Sequence, residues 1–233
     1  LTLKSGVKPN LALNTDSNCE FHAFFSHVWS TGQAKSHAIV RKMQLIMPDV
    51  KIWLDVDDID SYSGNLEQAV IDSKVFIVFV SKGYFASMNC RREIITAVRL
   101  GKPFIVIYEG DKIALESMMN ECKRCCTGVT DEDTLSKIMQ HLEQDSIPWV
   151  DENIFSAKAL NRISTMLLSN LPYYQANPHK LEAGVHVPGE LGFVRLTSAV
   201  NLIICRSNEG SSEVAHELMS LAGNNLTVSD EIA

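Results

Sequence analysis

Two runs limit the fold more than any other feature of the chain. Val75–Ser81 (VFIVFVS) and Pro103–Tyr108 (PFIVIY) are apolar at consecutive positions. A strand wetted on one side alternates apolar with polar residues. Strands apolar on both sides must be covered on both sides, as in a parallel sheet flanked by helices. Three more short runs rich in β-branched and aromatic residues read as strands: Glu20–Ser26, Val50–Asp55 and Ile147–Val150. Between the runs, apolar residues recur at helical spacing: Ile39, Val40, Met43 and Met47, then Leu66, Ala69 and Val70, then Ile94, Ile95, Ala97 and Val98. Strand and helix in alternation predict an α/β domain with a five-stranded parallel sheet, for which the order 2-1-3-4-5 is expected.

The fourth connection is longer and predicts two helical pieces, Lys112–Cys126 and Thr134–Gln144, around Gly128. A last helix, Phe155–Leu171, is expected to stop at Pro172. The α/β domain is thus read as residues 20–171. Residues 1–19 read as a polar, poorly ordered leader. Residues 172–192 hold Pro172, Pro178, Gly184, Pro188, Gly189 and Gly192, and that density of breakers reads as a linker. Residues 193–233 read as one βα unit, with a strand at Val200–Cys205 and a helix at Glu213–Leu221. It is too short for a core of its own and is taken as the start of a truncated second domain, since a second strand would fall where the chain stops.

Charge and motifs exclude several function classes. The 233 residues carry 21 Lys and Arg against 28 Asp and Glu, a net charge of -7, which opposes a phosphate backbone and argues against nucleic-acid binding. No apolar run approaches the ~20 residues that span a bilayer, so no membrane contact is expected within this segment. The six cysteines are scattered in a chain that has no need of staples, which suits a cytoplasmic setting. Cys122, Cys125 and Cys126 lack a second half-site, so no metal is expected. Glycine-rich phosphate loops, paired zinc-binding histidines on a helix and a nucleophile elbow are all absent. The acidic stretch Asp55–Asp60 lacks the glycine and the distant carboxylate of a calcium loop.

In open sheets of this order, ligands bind beyond the carboxyl ends of the strands, where the strand order reverses. The segments expected there are 26–33, 55–64 and 81–93. They supply Ser26, His27, Trp29, Asp55 and Tyr84 as candidate ligand contacts. Asn89 reads as a helix N-cap, which starts its helix at Cys90 and puts Glu93 about one turn in. Ala97 and Leu100 follow Glu93 at four and seven residues, so its carboxylate sits on an apolar stripe and leans toward the sheet.

Five stretches, in order, carry a resemblance. Phe21–His27 is similar to the first strand of Toll/interleukin receptor (TIR) domains. Ile52-Trp53-Leu54-Asp55, with the acidic loop and Leu66-Glu67, resembles the family's second strand and BB loop. Val75–Tyr84 and Cys90-Arg91-Arg92-Glu93-Ile94 resemble its third strand and third helix start, Gly101-Lys102-Pro103 its junction into strand four, and Ile147-Pro148-Trp149 its fifth strand. The similarity spans about residues 20–171. It implies a flavodoxin-like three-layer sandwich, a place in signal transduction, and association with itself and with other TIR domains.

One branch of the family cleaves NAD, as substrate and not as cofactor, through a single Glu at the start of the third helix. By motif that residue is Glu93. The resemblance thus implies an NAD glycohydrolase, with a non-enzymatic adaptor acting through TIR–TIR contacts as the alternative. The pattern departs at Asn89, where the family has Trp, at Val28 and Trp29, where some NAD-cleaving members carry basic residues, and at His22, where the family has Asp.

Overall fold

A computed structural model describes residues 1–13, 19–54, 66–110, 112–144, 146–151, 153–188, 198–205, 214–215, 218–219 and 226–230. The chain divides into two units, Leu1–Pro188 and Gly189–Ala233.

The first unit is built on five parallel strands: β2 (Phe21–His27), β3 (Ile52–Leu54), β4 (Ser73–Val80), β5 (Phe104–Glu109) and β6 (Ile147–Trp149). Their order is β3-β2-β4-β5-β6, the 2-1-3-4-5 arrangement. Phe25 pairs with Leu54 on one side and Ile77 on the other, and Ile77 in turn pairs with Ile105.

Period-two alternation splits these strands into two cores. Ala23, Phe25, Ile77 and Ile107 pack against Ile39 and Met43 of α1 (Trp29–Ile46) and Ile163 and Leu167 of α6 (Asn153–Ser169). Phe24, Trp53, Phe76 and Val78 face the other way. They meet α2 (Leu66–Ile71), α3 (Met88–Arg99), α4 (Leu115–Cys126) and α5 (Glu132–Glu143) through Val70, Ile94, Cys122 and Ile138. Phe24 stacks between Trp53 and Phe76, with ring centroids 4.6 and 5.5 Å away. The flavodoxin-like layering follows directly from sheet runs that are apolar on both sides.

Two local readings need correction. α3 begins at Met88, because Ser87 and not Asn89 is its N-cap: the Ser87 Oγ accepts from the Cys90 N–H at 3.4 Å. Pro172 does not merely stop α6. It is the first residue of a further helix, α7 (Pro172–Ala176), where its missing N–H costs nothing.

The leader and the linker also depart from expectation. Thr2–Leu3 (β1) pairs antiparallel with Val185–His186 (β7), and Leu3, Leu168, Leu171, Tyr174 and Val185 form a small third core. The Tyr174 hydroxyl accepts from the Asn10 N–H at 2.9 Å. Lys51 N–H donates to Nδ1 of His22, which fixes the His22 proton on Nε2, and Nε2 donates to the Leu11 carbonyl at 2.6 Å. The first compact unit therefore runs to Pro188, not to residue 171. Leucines at wide spacing carry this packing, and they form no periodic signal in the sequence.

In the second unit, β8 (Val200–Ile204) pairs in parallel with β9 (Leu226–Asp230). The unit thus holds two strands where one was read. Of the expected helix Glu213–Leu221, residues 214–215 and 218–219 are helical, and the remainder lies outside the described residues.

Candidate functional site

The carboxyl end of β2 ends in two polar residues, and alternation sends them to opposite faces. Ser26 shares the face of Phe24 and so meets α3. His27 falls on the α1 face.

α3 presents Cys90, Glu93, Ile94 and Ala97 inward, the spacing of one buried helical stripe. Glu93 rides on that stripe and is only 4% exposed. The Ser26 hydroxyl donates to Glu93 Oε2 at 2.6 Å, and the Tyr84 hydroxyl lies 2.6 Å from Ser26 Oγ. Ser26 spends its single proton on Glu93, so Tyr84 is the donor to Ser26. The result is a directed chain, Tyr84 to Ser26 to Glu93, that ends on a carboxylate. Burial pushes the Tyr84 phenol well above its usual value, the charges of Cys90 and Glu93 add to this, and the bond to Ser26 opposes it. The phenol therefore stays protonated and keeps its donor role at neutral pH.

The loop that carries Tyr84 is fastened from several sides. Gly83 turns it at a φ of +86°, a conformation that glycine adopts without strain. Glu121 of α4 accepts from the Gly83 and Phe85 N–H groups at 3.3 and 3.0 Å. Arg91 Nη1 donates to the Phe85 and Ala86 carbonyls at 2.7 and 3.1 Å. From α1, Thr31 Oγ1 donates to the Lys82 carbonyl at 2.8 Å and accepts from Ser81 Oγ at 2.8 Å. None of these long-range contacts leaves a mark in local sequence pattern, and Glu121, which holds the loop backbone, was not foreseen.

The candidate contacts separate accordingly. Ser26, Tyr84 and Glu93 come together. His27 does not join them: it is buried on the α1 side, and neither ring nitrogen has a hydrogen-bond partner among the described residues. Burial first, and His37 second, pull its pKa down to about 4, while the Phe25 carbonyl offsets this only in part. His27 is thus a neutral imidazole at neutral pH.

Trp29 opens α1 and is 50% exposed. Tyr84 cannot stack on a base, because it is fully buried and packs edge-on against Phe85 at 5.1 Å. Asp55 and the acidic loop after β3 lie outside the described residues. Arg91 is spent on loop carbonyls, and Arg92 pairs with Glu67 at 2.6 Å. Among the described residues, no group of three His, Cys, Asp or Glu is placed to hold a metal ion, and no helix is long and apolar enough to cross a membrane.

A protein-family model described as "TIR domain" matches residues 24–119, from Phe24 of β2 to Met119 of α4. The matched stretch contains Ser26, Tyr84 and Glu93. The chain matches none of the curated proteins compared with it.

Proposed function

We propose, from the premise that this chain is a TIR-domain protein and so suited to signalling, that it cleaves NAD at the nicotinamide–ribose bond with Glu93 as the key carboxylate. The observation that carries the reading is a buried carboxylate with a donated hydroxyl, set at the strand-order reversal where open α/β sheets bind ligands.

The reaction suits a single carboxylate. The C–N bond breaks with its electron pair going to nicotinamide, whose ring nitrogen loses its positive charge, so no proton donor is needed. The ribose carbon is left oxocarbenium-like, and a fixed negative charge beside it lowers the barrier. Water then adds to that carbon and releases a proton. Ser26, held by Tyr84, orients the Glu93 carboxylate through its donated hydrogen bond. Trp29, half-exposed at the start of α1, is the aromatic side chain at the same rim.

The test is nicotinamide release from NAD by purified, concentrated protein. Glu93→Ala and Glu93→Gln are expected to lose about 10²–10³ in rate, the usual cost of removing a preorganised electrostatic partner. Equal rates in wild type and variants overturn the assignment.

Association with TIR domains, of this chain or another, is the second reading. The observation that favours it is two exposed apolar side chains at the carboxyl rim, Trp29 and Met88 at 50% and 65%. Molar mass measured across concentration tests it, and a chain that stays monomeric and captures no TIR partner counts against it. Six cysteines outside any disulfide favour a reducing, cytoplasmic location for either role.

A further inference from the structure

A cleft of about 640 Å³ opens at the carboxyl ends of β4 and β5. Ser26, Tyr84 and Glu93 do not line it. Its walls come from the first turn of α1, from Lys82 just after β4, from the loop after β5, and from the first two turns of α4.

Among the described residues, the two carboxylates that line it are already answered from within the protein. Glu109, buried, takes Lys35 Nζ at 3.0 Å and Lys112 Nζ at 3.1 Å on one oxygen. Glu121 takes the backbone N–H groups of Gly83 and Phe85.

The donors are answered only in part. Lys82 makes no side-chain hydrogen bond or ion pair to any described residue. Lys112 remains 63% exposed beyond its contact with Glu109. α4 enters the cleft by its N-terminal end, and its N-cap, Ala114, offers no side-chain oxygen to the first-turn N–H groups. Ser117, whose hydroxyl has no partner among the described residues, stands at the third position of that turn. The surplus is therefore of cations and donors over acceptors. It matches a doubly charged group with several acceptor oxygens better than a single carboxylate.

The volume decides how large the rest of the ligand is. A lone ion needs far less space, whereas small-molecule sites run to roughly 300–1,000 Å³. Ile113 supplies an apolar wall for a ring, and Glu121, which accepts one N–H on each oxygen, lines the same cleft. The geometry points to a second ligand site, distinct from Glu93, that takes a phosphomonoester of nucleotide size. Its phosphate lies between Lys82, Lys112 and the start of α4, and its ring lies on Ile113.

Calorimetric titration of the whole chain with adenosine monophosphate, inorganic phosphate and adenosine tests this. Saturable binding of the monophosphate is expected, at least tenfold tighter than either fragment. Lys82→Ala with Lys112→Ala is expected to weaken it at least tenfold. Ser117→Asp is expected to abolish it without harm to the fold, because it puts a carboxylate on the cleft wall itself, which the first-turn Glu116 does not line, and an acid in the first turn favours the helix. Glu93→Gln is expected to leave binding unchanged. An unchanged melting temperature shows that the variants fold. No saturable binding by wild type, equal binding in the Lys variants, or loss of binding in Glu93→Gln overturns the proposal, the last because the ligand then belongs to the other site.

Discussion

Acidification should destabilise the first unit through His27. The ring is 4% exposed, both nitrogens lack hydrogen-bond partners among the described residues, and His37 adds a like charge when protonated. The folded pKa is lowered to about 4 from the ordinary 6.5. Between these values the unfolded chain binds a proton that the folded chain refuses, so stability falls as pH falls through this window and is fully present above it. Each pH unit of separation is worth about 1.4 kcal/mol, which makes the loss about 2 kcal/mol by pH 5 and about 3 kcal/mol near pH 4.

The comparison that isolates this is wild type against His27→Leu, by urea titration at pH 7.5 and pH 5. Emission from the buried Trp53 and Trp149 reports the first unit. Carboxylates titrate in both proteins and cancel in the difference. Leu is of similar volume and has no nitrogen to leave unpaired, so the variant should match or exceed wild type at pH 7.5. It should also lack about 2 kcal/mol of the acid sensitivity. Equal pH dependence in the two proteins would refute the reasoning.

Ser26→Ala should cost about 1–3 kcal/mol in urea titration, because it leaves a buried phenol and a buried carboxylate without their shared partner. It should also slow nicotinamide release, with kcat falling more than KM changes, if Ser26 orients Glu93 as proposed. Ser87→Ala should cost about 0.5–1 kcal/mol, the low end of N-cap losses since the bond is long at 3.4 Å, and restoration by Ser87→Asp is the check. Gly32→Ala should destabilise by about 1–3 kcal/mol, because an added Cβ would come within 2.9 Å of Ser81 Oγ, and a melting temperature unchanged from wild type would show that the contact relaxes freely.

The sheet is legible because two of its strands, β4 and β5, are apolar on both faces, and that pattern admits few other structures. Glu93 was legible for a related reason: a carboxylate on an apolar helical stripe must find a donor indoors. Its partner, Ser26, was visible as a polar residue at a strand end. His27 was misplaced with it because adjacent residues in a strand are neighbours in sequence but back to back in space. Tyr84 is expected among the ligand contacts on residue type alone, while its burial comes from Ser26 and α4, distant contacts that no window of sequence contains. The ordered leader escaped notice for the same reason. Leu1, Leu3, Leu11 and Leu13 have no helical or strand period, and their partners lie more than a hundred residues away or on α1.

These long-range contacts converge on one short stretch, residues 81–87. Thr31 holds its start, Glu121 its middle and Arg91 its end, each from a different helix. A loop with several independent ties has little freedom to shift, so the Tyr84 hydroxyl is delivered to Ser26 at a fixed place and Ser26 to Glu93. That rigidity is what an electrostatic site requires, since a dipole that must reorient during the reaction gives back part of what it stabilises. The same ties make the loop a shared wall. Glu121 lines the cleft on one side and grips the backbone on either side of Tyr84, so the carboxylate at Glu93 and the cleft beyond β4 are held by one set of hydrogen bonds and not by two.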